Sequence, residues 1–88
     1  MKLLKSFLFI LMLSTLSSFQ NKPMKVIFFG DSITQAGVTP GGYITLMQED
    51  LKTRNLESEY VFEGAGIGGN KIYDLYLRME EDVLEKNP

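Results

Sequence analysis

The sequence predicts an α/β layered fold built on a parallel sheet. Two short β-favouring runs, Met24–Phe29 and Tyr60–Phe62, each lead into glycine. A stretch of helical period follows each of them. The resulting order of strand, helix, strand, helix is the alternation that places helices against parallel strands. A right-handed crossover joins the two strands.

Residues 1–18 stand apart from that pattern. Lys2 and Lys5 make a basic start, Phe7–Leu13 an apolar core, and Ser14–Ser18 supply small residues near a cleavage point. This is the layout of a secretory signal peptide, with the cut expected near Ser17 or Ser18. The apolar run is shorter than the roughly 20 residues a membrane span needs. The sequence therefore predicts an exported chain, periplasmic, envelope-bound or secreted, with no membrane association after cleavage. Residues 19–23 form a polar linker closed by Pro23.

The domain begins at residue 24 and runs to 88. Met24–Phe29 is apolar except for Lys25, and its lack of alternation predicts a strand buried on both faces. Residues 33–40 read as a loop, with Gly37, Thr39, Pro40 and the following glycines as its punctuation. A helix is predicted from Gly42 to Asn55, with Tyr43, Leu46, Met47 and Leu51 as its apolar stripe. Ser58–Glu63 reads as the second strand and Gly64–Asn70 as a glycine-rich turn. A last helix follows, ending near Asn87-Pro88. Its apolar stripe comprises Ile72, Leu75, Tyr76, Met79, Val83 and Leu84. Lys71, Asp74, Arg78, Glu80, Glu81, Asp82 and Glu85 are assigned to the solvent side.

Composition excludes several classes of function. The chain has no cysteine and no histidine, so neither a disulfide framework nor the usual zinc ligands are available. The formal charge of −2 gives no support to a nucleic-acid surface. The acidic residues of the last helix read as a solvated face rather than a metal cluster. No metal or organic cofactor is expected.

The chemistry centres on Gly30-Asp31-Ser32, where a buried strand delivers a hydroxyl to the edge of a sheet. Read locally, Asp31 and Ser32 also fit a simple hydrogen-bonded turn. The second glycine cluster weighs for chemistry. Parallel neighbours put both strand ends on one edge, where α/β proteins bind ligands, so Ser32 and Gly69 are expected side by side. A serine becomes a nucleophile once a base takes its proton. A glycine amide close by can donate to a developing oxyanion, an interaction worth about 2.7–4 kcal/mol in one protease.

Gly30-Asp31-Ser32-Ile33-Thr34 resembles the first sequence block of the SGNH, or GDSL-type, serine hydrolases, and Gly66-Ile67-Gly68-Gly69-Asn70 resembles the second. The resemblance runs from about Met24 to Pro88. It implies a flavodoxin-like three-layer sandwich of which these residues form the N-terminal βαβα part, incomplete by itself. It implies an esterase or lipase acting on carboxylic esters of acyl or sugar type. Ser32 is then the nucleophile and first oxyanion N–H, Gly69 the second, and Asp31 a support for the nucleophile turn. The family's third block, Gly-x-Asn-Asp, and its last, Asp-x-x-His, do not occur in these residues. The 88-residue chain alone is expected to be inactive and poorly folded.

Two other readings compete. Gly64-Ala65-Gly66-Ile67-Gly68-Gly69 fits the dinucleotide-binding G-x-G-x-x-G pattern, although no acidic strand end follows it. The chain also fits an inactive truncated product, since two parallel strands make a poor self-contained module.

Overall fold

A computed structural model of the chain describes Lys5 and residues 22–88. The expected leader, Lys5 apart, and the start of the linker lie outside the described residues. Strand β1 spans Met24–Gly30 and strand β2 spans Tyr60–Gly66. They pair in parallel from Met24↔Tyr60 to Gly30↔Gly66. Helix α1 covers Ser32–Gly37 and α2 covers Tyr43–Thr53. Helix α3 covers Ile72–Asp82, and a 3-10 turn occupies Leu84–Lys86. The architecture is a two-stranded parallel sheet in a βαβα order, an incomplete α/β sandwich.

Alternate strand residues address opposite faces of the sheet. Phe28 meets the Tyr43 ring of α2 edge-on at 5.9 Å and Phe62 at 5.1 Å. Phe29, one residue on, lies beneath the Arg78 guanidinium of α3 at 4.5 Å. Helices α2 and α3 therefore take opposite sides of the sheet, as a layered fold requires. Ile44 of α2 is the one large hydrophobic side chain fully buried among the described residues, at 1% exposure.

Several sequence expectations change in detail. Residues 33–40 do not all form a loop, because α1 occupies the first part. The Asp31 carboxylate accepts from the Ile33 N–H at 3.1 Å, which caps the new helix. Strand β2 also runs three residues past Glu63. Its pairing with β1 continues to Gly30, so Gly64, Ala65 and Gly66 belong to the ladder and not to a turn.

In α2 the Tyr43 ring and Leu51 of the expected stripe lie toward the sheet together with the buried Ile44, whereas Leu46 and Met47 are exposed. Leu46 is 53% exposed. In α3 the phase shifts. Ile72 and Tyr76 are exposed, whereas Asp74, Leu75, Arg78 and Asp82 are half-buried. The expected solvent side of α3 thus carries the side chain that reaches the strand ends. The helix itself stops at Asp82, and the remaining turn is 3-10.

Candidate functional site

The carboxyl ends of β1 and β2 lie together because the ladder ends on the pair Gly30↔Gly66. The Ile67 N–H then donates to Gly30 O at 3.1 Å, tying the loop after β2 to the end of β1. Ser32 is the first residue of α1, and it is exposed. At that position its own N–H has no intrahelical acceptor.

Helix α1 rests directly on the end of β2. A Cβ added at Gly66 would overlap the backbone of Thr34 and Gln35. Only glycine permits that approach. Thr34, on the buried side of α1, shares a 2.9 Å hydrogen bond with the Tyr43 hydroxyl. The turn that carries Ser32 is thereby fastened to the start of α2 as well.

The loop 67–70 passes beside Ser32. A Cβ built on Gly68 would stand 3.8 Å from the Ser32 Cβ. The Gly68 N–H is already engaged, donating to the Gln35 side-chain oxygen at 2.8 Å. The Asn70 N–H donates to Ile67 O at 3.2 Å. Among the described residues no hydrogen bond uses the Gly69 N–H. Gly69 has φ +82°, a left-handed conformation that glycine adopts without penalty, and the space where a Cβ would stand is open. The structure thus brings Ser32 next to the loop that contains Gly69, with Asp31 as the helix cap between strand and serine.

Two further residues shape this edge, and the sequence reading did not single them out. Gln35 bonds the loop. Arg78, from α3, donates through Nη2 to Gly30 O at 2.9 Å and to Ala65 O at 3.0 Å, and through Nε to Asn70 Oδ1 at 2.6 Å. Its Nη1 pairs with Asp82 at 2.9 Å. An Arg–Asp pair at i, i+4 in α3 was a visible signal for Arg78, but it reads equally well as surface charge. Gln35 carried no such signal. An open groove of roughly 310 Å³ lies elsewhere: Tyr60 and Phe62 of β2 and Thr45 and Lys52 of α2 help to line it. It takes in the first residue of β2 and not the edge that bears Ser32.

The glycines that fit a dinucleotide-binding pattern are placed differently from that motif. Gly64 and Gly66 lie inside β2, against Val38 and the α1 backbone, and do not form the turn into a helix.

The carboxyl edge of the parallel sheet thus carries an exposed serine beside a glycine-containing loop. Among solved structures, the chain is similar to one described as "Crystal structure of an acetyl xylan esterase AlAXEase", with 78% sequence identity and a TM-score of 0.72. That match covers 74% of this chain and 33% of the esterase, so the chain spans about a third of its length. No family model and no curated protein matches. Over the matched residues the chain is thus similar to an esterase.

Proposed function

We propose that these residues form the nucleophile-bearing part of an exported SGNH/GDSL-type serine esterase that removes acetyl groups from a sugar polymer of the xylan kind. The observation that carries the reading is the juxtaposition of Ser32 with the 67–70 loop, where no hydrogen bond among the described residues uses the Gly69 amide. The identity to an acetyl xylan esterase supports the ester class and the acetyl group. The basic, apolar and small-residue order of residues 1–18 supports export.

In this mechanism the Ser32 hydroxyl gives its proton to a base and its Oγ attacks the acetyl carbonyl carbon. The negative charge that develops on the carbonyl oxygen is met by the N–H groups of Ser32 and Gly69. The sugar oxygen leaves with a proton, and water then releases acetate from the serine. Asp31 serves the geometry, since its carboxylate is bound to the Ile33 N–H. The 88 residues contain no histidine, and they span a third of the matched esterase. The base is therefore assigned to residues beyond those given.

The test is hydrolysis of an aryl acetate and of acetylated xylan by the full-length protein and its Ser32→Ala variant. The expected result is a loss of at least about 10⁴-fold in kcat, the order seen when a serine nucleophile is removed. Retention of wild-type turnover in a folded Ser32→Ala variant overturns the assignment.

A further inference from the structure

Arg78 is the most engaged side chain of the described residues, and the mechanism above does not use it. Its side chain is 15% exposed. Four donations leave its guanidinium, and each reaches a different partner. One Nη2 bond holds the last carbonyl of β1, at Gly30, two residues before Ser32. The other holds Ala65 O, next to the last residue of β2. The Nε bond holds the Asn70 side chain, directly after Gly69. The Nη1 bond to Asp82 anchors the group to its own helix, and the Phe29 ring supports its plane from the sheet.

We infer that Arg78 is a positioning residue: it fixes the Ser32 turn and the Gly69 amide relative to each other. This deepens the esterase reading and rests on it. The reason lies in the covalent structure. The nucleophile and the second oxyanion donor come from two separate strand ends, joined there by the Ile67 N–H to Gly30 O bond and by the Gln35 contact. Arg78 spans both ends and the loop in one rigid plane. A planar fork with five donors in fixed directions can do this, whereas a lysine ammonium on a flexible stem cannot reach three separated acceptors at once. Misplacement of about 1 Å between reacting groups can lower a rate by roughly 100-fold. Arg78 therefore contributes to kcat without touching substrate.

The experiment compares the full-length protein with its Arg78→Lys, Arg78→Ala and Asn70→Ala variants, alongside Ser32→Ala. Aryl acetate hydrolysis gives kcat and KM, and near-ultraviolet circular dichroism reports the fold. The expected result is a folded Arg78→Lys variant with kcat lowered at least 10-fold and KM within about 3-fold of wild type. Added methylguanidinium is expected to restore part of the kcat of Arg78→Ala, which a lysine substitution does not achieve. A folded Arg78→Lys variant with wild-type kcat overturns the proposal.

Should neither Arg78 variant fold, Asn70→Ala decides, since it removes the loop end of the clamp alone. A lowered kcat at unchanged KM supports the clamp, and wild-type kcat overturns it. Ser32→Ala separates the two readings. Inactive Ser32→Ala with fully active Arg78→Lys removes the clamp and leaves the nucleophile standing. Fully active Ser32→Ala removes the nucleophile and the clamp's catalytic meaning with it.

Discussion

The two ends of the β1–β2 pair are held by different physics. At the carboxyl end, directed hydrogen bonds from Arg78, Gln35 and Ile67 fasten the strand ends to the loops, and glycine at 66 lets α1 lie flush on β2. Toward the amino end the fastening is peripheral. Lys25 donates to Lys86 O at 3.0 Å, and Lys86 pairs with Glu63 at 2.7 Å through side chains that are more than a third exposed. On the α2 face of the sheet, a groove lined in part by Tyr60 and Phe62 lies open. The lesson is that precision is concentrated where Ser32 sits. The half-exposed pair near the chain terminus holds less, because solvent still screens it.

That contrast can be broken most severely by comparing two serines. Ser32→Ala is expected to lose at least about 10⁴-fold in kcat, whereas Ser58→Ala, in the exposed turn before β2, is expected to keep wild-type activity. Steady-state hydrolysis of an aryl acetate by both variants checks this. Equal effects would remove the functional asymmetry between the two ends.

Gly66→Ala should come next. The added methyl overlaps the Thr34–Gln35 backbone, so the variant is expected to lose about 1–3 kcal/mol of stability, the usual cost of overpacking. Denaturant unfolding of the full-length protein measures it. Because α1 must move away from β2, activity is expected to fall further than stability alone explains.

Gln35→Ala sharpens the comparison within the strong end. It removes the acceptor of the Gly68 N–H at an exposed position, where water can substitute. The expected result is a several-fold drop in kcat with a change in stability of about 1 kcal/mol or less. A loss as large as that of Ser32→Ala would mean that Gln35 touches the reacting groups.

The weak end should show the smallest effect, and a pH-dependent one. The hydrogen bond from the Lys86 ammonium holds the Glu63 carboxyl below its ordinary pKa. Partial burial opposes this, and the charges of Lys86 and Lys25 add to the lowering. A carboxyl lowered in the folded state stabilises above its unfolded pKa of about 4.3, and that contribution is lost as pH falls through the folded value. Melting temperatures of wild type and Glu63→Gln are therefore expected to differ slightly at neutral pH, and the gap should close below about pH 4. Added salt should narrow it as well. A gap that widened in acid would contradict the sign of this interaction.

Much of this was legible in the sequence. The strands, their parallel sense and the nearness of Ser32 to the second glycine cluster follow from apolar runs, the alternation of periods and glycine placement. The strand end at Gly66 was not legible, because glycine reads as a turn residue while the ladder with Gly30 is a long-range property. Helix α1 was hidden by the glycine and proline that follow it, although the Asp31 cap that starts it is local. The stripe of α2 in part, and that of α3, were misphased because apolar residues exceed what two strands can cover, so Ile72 and Tyr76 remain exposed and the pattern alone cannot say which apolar residues face the sheet.

Arg78 shows the limit most clearly. A charged residue among acids on a helix reads as solvated, but its acceptor at Gly30 lies 48 residues away in the chain. No local pattern encodes a bond of that kind. It emerges only when the fold brings the strand end beneath the helix.

The central claim, that Ser32 is the nucleophile at this edge, is tested most directly by covalent capture. The full-length protein would be treated with a fluorophosphonate and its peptides mapped by mass spectrometry. The account predicts one stoichiometric adduct, on the peptide containing Ser32, with loss of esterase activity in proportion to labelling. Esterase activity that persists without an adduct on Ser32, or that disappears with labelling of another residue, would contradict it.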